Sequence, residues 1–221
     1  MALKRSNSDQ ALPSRKGREH ARDSASLLQE LHAAEAPIRR WAARDLSHFP
    51  ETVNDLLNAL RAEEDESVCE ALFCSLEHIA HTHSDSEAAM EVTQGLLELL
   101  RSEKANVRNQ AIDVLQTLPE QVAPHVERLL NDSDADVRIF ALDILRALPH
   151  QNAPQWITQV LLQESHPNVL GAAVDRATEF GTAEMVPALE RLQAGNNIPA
   201  YLRFAIKIAL ERIETDGSQG R

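Results

Sequence analysis

Residues 101–119, "RSEKANVRNQAIDVLQTLP", and residues 131–149, "NDSDADVRIFALDILRALP", are two versions of one segment, with Val107-Arg108 and Val137-Arg138 thirty positions apart. Duplication at a period of this size marks a repeat architecture, in which each unit is one supersecondary element that cannot bury its apolar face alone. Both copies place apolar residues four and eight positions after an apolar anchor: Val107/Ala111/Leu115 and Val137/Ala141/Leu145. That spacing keeps all three on one side of an α-helix.

The same template recurs at Ile38/Ala42/Leu46, Val68/Leu72/Leu76 and Val169/Ala173/Ala177, and more loosely at Leu202/Ile206/Leu210. Successive anchors lie 30, 39, 30, 32 and 33 residues apart, room for one helical hairpin per period. Proline or glycine breaks the chain after four of the six anchored helices, in "FPE" (49–51), "LPE" (118–120), "LPH" (148–150) and "FGT" (180–182). Second helices are predicted at 52–61, 88–101, 122–130, 153–162 and 184–192, followed by turns such as "EEDES" and "NDSDAD" whose Asp and Ser cap the next helix. A helix at 24–33 closes the N-terminal side, and the stack is expected to end near residue 214. The longest period contains "EHIAHTHSDSEAAM", which either lengthens its two helices or forms a protruding turn.

Composition agrees with helices. Only 4% of the 221 residues are aromatic and seven are glycine, a bias against twisted sheets. The expectation is an all-α chain, an α-α superhelix (α-solenoid) of about six hairpins over 23–215, between a disordered basic arm (1–22) and a flexible tail (216–221). The formal charge of −12 is unevenly distributed: the arm carries six basic and two acidic residues, or +4, which leaves −16 on the remainder. An acidic body argues against nucleic acid and anionic membrane as partners, since both require a basic footprint. No apolar run reaches the roughly 20 residues of a membrane span, and no secretory leader is evident, so the expected location is cytoplasmic. Cys69 and Cys74, five apart in a helix, diverge by about 140° and are expected as two reduced, buried thiols.

The unit resembles the HEAT family, in particular its short bacterial form related to phycobilin lyase repeats. "DSDADVRIFALDIL" (132–145) carries the resemblance through its Asp-rich turn, Val-Arg pair, Ala and terminal Leu; "KANVRNQAIDVL" (104–115) and "APIRRWAARDL" (36–46) follow it, while Cys69 and Leu170 replace the arginine in two repeats. The resemblance implies that Arg39, Arg108 and Arg138 join neighbouring repeats by hydrogen bonds to turn carboxylates such as Asp132.

Candidate chemistry is sparse. His78, His81 and His83 form the only histidine cluster and match no standard metal spacing. Paired His-Glu steps of iron-binding HEAT hydroxylases are absent; the Glu-His pairs, Glu19-His20 and Glu77-His78, run in reverse order. A HEAT-like DNA glycosylase would need a basic groove, and Trp41, Trp156, Asp45 and Asp143 are scattered over an acidic body. No nucleophile elbow or Gly-rich phosphate loop occurs. What remains is surface: a non-enzymatic scaffold or regulatory adaptor holding another protein or a peptide along a groove lined by the second helices, with no cofactor and no metal. Aligning those helices leaves His125, Arg128, Trp156, Ile157 and Val160 on or near the groove, although burial of Trp156 in the core fits the sequence equally well. The alternative is a chromophore-lyase-type enzyme or subunit, marked by a deep polar pocket.

Overall fold

The computed structural model describes residues 23–148, 150–195 and 198–219, with side chains described through 215; the expected arm at 1–22 lies outside them. The described chain forms twelve α-helices in two layers. Helices α2 (Ala36–Leu46), α4 (Glu66–Thr82), α6 (Ala105–Gln116), α8 (Ala135–Ala147), α10 (Pro167–Phe180) and α12 (Ala200–Gln219) carry the anchors and stack in that order as a first layer. Helices α3 (Val53–Ala62), α5 (Glu87–Leu99), α7 (Pro119–Leu130), α9 (Ala153–Gln163) and α11 (Val186–Gln193) stack as a second layer. α1 (Ser24–Glu30) packs on α2. No described helix is long and apolar enough to cross a membrane.

The repeat pattern becomes the core between layers. Anchors Val68, Val107, Val137, Val169 and Leu202 are buried, as are the residues four positions after each. In the first repeat, where α2 packs on its earlier side against the single short helix α1 among the described residues, Ile38 is 38% and Trp41 40% exposed. Helix starts follow local chemistry: Asp65 accepts from the Ser67 and Val68 amides, Asp134 from Asp136, and Ser86 from Ala89. Prolines open α2, α7, α9, α10 and α11, where no intrahelical donor is lost. The extra residues of the long period lengthen α4 to 17 residues. Gly95 lets α5 pack close to Leu57 of α3, because a Cβ there would overlap the Leu57 side chain.

One expectation is corrected. Cys69 is buried, but Cys74 is exposed, because it sits on the outer side of α4 away from the Val68/Leu72/Leu76 line. The backbone of α12 is helical to Gln219.

Neighbouring repeats are also joined by arginine. Arg39 donates through Nε and Nη2 to the Glu63 carboxylate at 2.7 and 2.8 Å, and through Nη1 to the Ala33 and Ala34 carbonyls. Glu63 in turn accepts from the amides of Glu64 and Asp65. Arg138 repeats the clip: it forks to Glu164 at 2.7 and 3.3 Å and reaches the Asp132 carbonyl, while Glu164 accepts from Ser165 and His166. Each arginine thus ties the turn before its own helix to the turn before the next. The hydrogen bonds of Arg39 hold the Glu63 carboxyl down at about 2, against the opposing effect of burial. Arg108 does not follow suit. It donates to the Ser102 carbonyl, and Asp132, its expected partner, is taken by Arg101 at 2.6 Å.

Candidate interaction surface

The second-layer helices present shallow clefts between successive members. Between α3 and α5, Asn54, Arg61, Glu87, Met90, Glu91 and Glu98 surround an open cleft, floored where Gly95 meets Leu57. Met90 is 62% exposed there, an unbranched, polarizable side chain suited to varied apolar contacts. Arg61 pairs with Glu98 at 2.9 Å and donates to Asn58, so the excess charge of this cleft is negative and comes from Glu87 and Glu91.

A second cleft, about 180 Å³ in volume, lies between α7 and α9. Its walls include Glu127, Leu130, Gln159 and Gln163, and the Arg138–Glu164 clip forms part of it. Trp156 and Val160 reach this cleft from the core side, but their exposures are only 5% and 7%, and Ile157 is fully buried. The exposed-groove reading of Trp156, Ile157 and Val160 therefore gives way to core packing. Part of the cover over Trp156 is His150, whose ring stacks on the indole, centroids 4.8 Å apart and planes 18° apart. The α6–α7 link holds only Thr117 and Leu118 and brings no such cover over Pro124. Of the five residues expected at the groove, Arg128 is exposed and His125 half-buried on α7. Burial and the neighbouring Arg128 charge lower the His125 pKa, favouring its neutral form.

Sequence reasoning missed the α3–α5 cleft. Met90 and Glu91 sit in a stretch read only as an apolar second helix, and the alternation of Glu87, Glu91 and Glu98 at helical spacing was the available signal.

The histidine cluster is not drawn together. His78 lies edge-on to His48, its Nε2 3.4 Å from Thr82 Oγ1; His81 meets Thr117 Oγ1 at 3.0 Å; and His83 ends α4. Among the described residues no group of three His, Cys, Asp or Glu side chains is placed to hold a metal ion. Asp45 and Asp143 lie on α2 and α8 and form no common site. Asp143 instead neighbours Arg176, whose Nη1 is 3.9 Å away, and burial raises the Asp143 pKa.

Comparison with known proteins supports the repeat fold. The family model for HEAT repeats matches residues 122–211. The MAST/Orbit N-terminal domain superimposes with a TM-score of 0.56 at 16% identity, over 86% of this chain and 97% of that one. Cex1p gives 0.50 at 17% identity, over 88% of this chain and 44% of that one. An archaeal HEAT-like repeats protein from Thermococcus onnurineus NA1 gives 0.45 at 16% identity, over 87% of each chain. None of these three is a phycobilin lyase. No curated protein sequence matches the chain significantly.

Proposed function

We propose that this α-solenoid is a non-enzymatic scaffold or adaptor that binds a basic segment of a partner protein along its second-layer helices. The observation carrying this reading is the α3–α5 cleft, where Met90 stands exposed among Glu87, Glu91 and Glu98. An extended or helical segment bearing Lys or Arg would place cations against the carboxylates and an apolar side chain on Met90. Glu127 on α7 lines the separate α7–α9 cleft, and Arg128 and His125 stand on the same helix, where they would set orientation. The acidic body favours such a partner over nucleic acid or an anionic membrane.

The test is fluorescence anisotropy with labelled Lys/Arg-rich peptides against the full chain, the Glu91→Lys/Glu98→Lys variant and Met90→Glu. Binding by the wild type that weakens in both variants and falls with added salt is the expected result. Binding that survives both variants places the site elsewhere, and an absorbance shift on adding a tetrapyrrole would favour a chromophore-handling enzyme instead.

A further inference from the structure

The carboxylates of the α3–α5 cleft are not all engaged. Glu98 pairs with Arg61, but exposed Glu87 and half-buried Glu91 have neither an ion-pair nor a hydrogen-bond partner among the described residues. Both stand with Met90 in the first half of α5, so the unmet charge and the exposed apolar side chain share one end of the cleft. The arginines show which end. Arg39 ties the Ala33 and Ala34 carbonyls, just after α1, to Glu63, just after α3, and Arg61 ties the last turn of α3 to Glu98 in the last turn of α5. The Arg138 clip joins the turns after α7 and α9 in the same way, so α1 stands in line with the second layer. The last turns of α1, α3 and α5 therefore lie at one end of the stack and their first turns at the other. Asp23, which caps α1, is at the same end as Glu87.

The chain that leads into Asp23 has the complementary chemistry. Residues 10–18, "QALPSRKGR", hold Arg15, Lys16 and Arg18 with no carboxylate, and Leu12 stands three positions ahead of Arg15. They lie outside the described residues, and chain length sets their reach. Arg18 is five positions and Arg15 eight positions before Asp23, at most about 17 and 27 Å of extended chain. Neighbouring second-layer helices pack about 10 Å apart, which puts the cleft beyond α3 about 15–20 Å from α1. Leu12, eleven positions from Asp23, reaches Met90 with slack. A segment tethered this closely is present at the cleft at an effective concentration of a few millimolar.

We propose that residues 12–18 of this same chain occupy the α3–α5 cleft, with Arg15, Lys16 and Arg18 against Glu87 and Glu91 and Leu12 on Met90, and that a partner's basic segment gains the site by displacing them. The inference rests on the reading of that cleft as a site for a basic segment and adds its regulation. Exposed ion pairs are individually weak and are screened by salt, so the tethered segment binds reversibly. With an intrinsic dissociation constant on the order of 1 mM it fills the cleft in about three molecules of four and weakens binding of an outside segment about 4-fold. A partner with more cations or a larger apolar anchor overcomes that factor, and one with fewer does not.

Two-dimensional amide NMR of the full chain, wild type against Arg15→Glu/Lys16→Glu/Arg18→Glu at about 0.05 M salt, tests the proposal. Signals of residues 87–95 should differ between the two chains by the same amount from about 20 to 200 µM protein, as an intramolecular contact requires. The difference should vanish at about 0.5 M salt, where the Debye length falls to about 4 Å. Glu87→Gln/Glu91→Gln should move the signals of residues 12–18 towards their high-salt positions. The arm variant should also bind a labelled Lys/Arg-rich peptide about 4-fold more tightly than wild type. Identical signals at 87–95 in wild type and arm variant, or signals at 12–18 indifferent to Glu87→Gln/Glu91→Gln, overturn the proposal. If the peptide then still moves the signals of 87–95, the cleft stands as a site for a basic partner; if it does not, that reading falls as well. A difference that grows with protein concentration also overturns the proposal, since it assigns the contact to the arm of a second copy.

Discussion

Arg138 and Arg108 occupy the same place in nearly identical repeats, yet one clips two turns together and the other does not. The difference lies in the residue they meet rather than in the arginines. Arg138 finds Glu164 and Arg39 finds Glu63, side chains long enough to fork onto the guanidinium while still accepting from two turn amides. The residue 24 positions after Arg108 is Asp132, one methylene shorter. Its carboxylate accepts from the Asp134 amide and from Arg101, and Arg108 Nε is buried without a hydrogen-bond partner, the guanidinium 5.5 Å from the Phe140 ring centroid. Membership of a repeat motif therefore predicts a residue's location better than its bonds.

The contrast can be broken most strongly by removing the arginines. Arg138→Ala strands the largely buried Glu164 and should cost about 3 kcal/mol in urea melts, and Arg39→Ala a similar amount. Arg108→Ala should cost under about 1 kcal/mol, since no carboxylate is orphaned; equal losses at all three sites would erase the distinction.

Acid separates the same turns. The Glu63 carboxyl falls from an ordinary value near 4.5 to about 2, so its folded form binds protons less readily than its unfolded form. Its stabilisation is complete above about pH 4.5 and is lost as pH drops towards 2, on the order of 2 kcal/mol after solvent screening. Glu63→Gln should melt well below wild type at pH 6, and the gap should close by pH 2; a constant gap would assign the effect to shape rather than charge.

Asp132→Glu sharpens the comparison from the other side. A longer carboxylate at the clip position should let Arg108 fork and raise stability by about 0.5–1 kcal/mol, with no gain when Arg108 is already Ala. The smallest effect belongs to Lys104, whose exposed ammonium reaches the Glu63 carbonyl at 2.8 Å. Lys104→Met should change stability by less than about 0.5 kcal/mol.

The helical hairpins were legible because their signal is periodic and local. Anchors such as Val107 and Val137, the prolines between helices and the capping Asp65 and Asp134 each act within one or two turns of chain. Cys74 escaped the pattern because, two positions past Leu72, it points off the buried line. Trp156 was ambiguous for another reason: alignment of the second helices fitted groove and core equally well, and its ring partner, His150, lies outside any helix, where no periodicity places it. The α3–α5 cleft depends on Gly95 leaving room for the Leu57 side chain, a contact between residues 38 positions apart.

From sequence alone came the number of hairpins, their order, the line of residues between the layers and an acidic body behind a basic arm. These follow from spacing and composition, which repeat stacking converts directly into burial. Tertiary structure alone decided which arginines are paired, that Trp156 belongs to the core and that Met90 stands among carboxylates. Each of those outcomes turns on an ångström or two between different repeats, a distance set by side-chain length and link geometry that one-dimensional spacing does not carry.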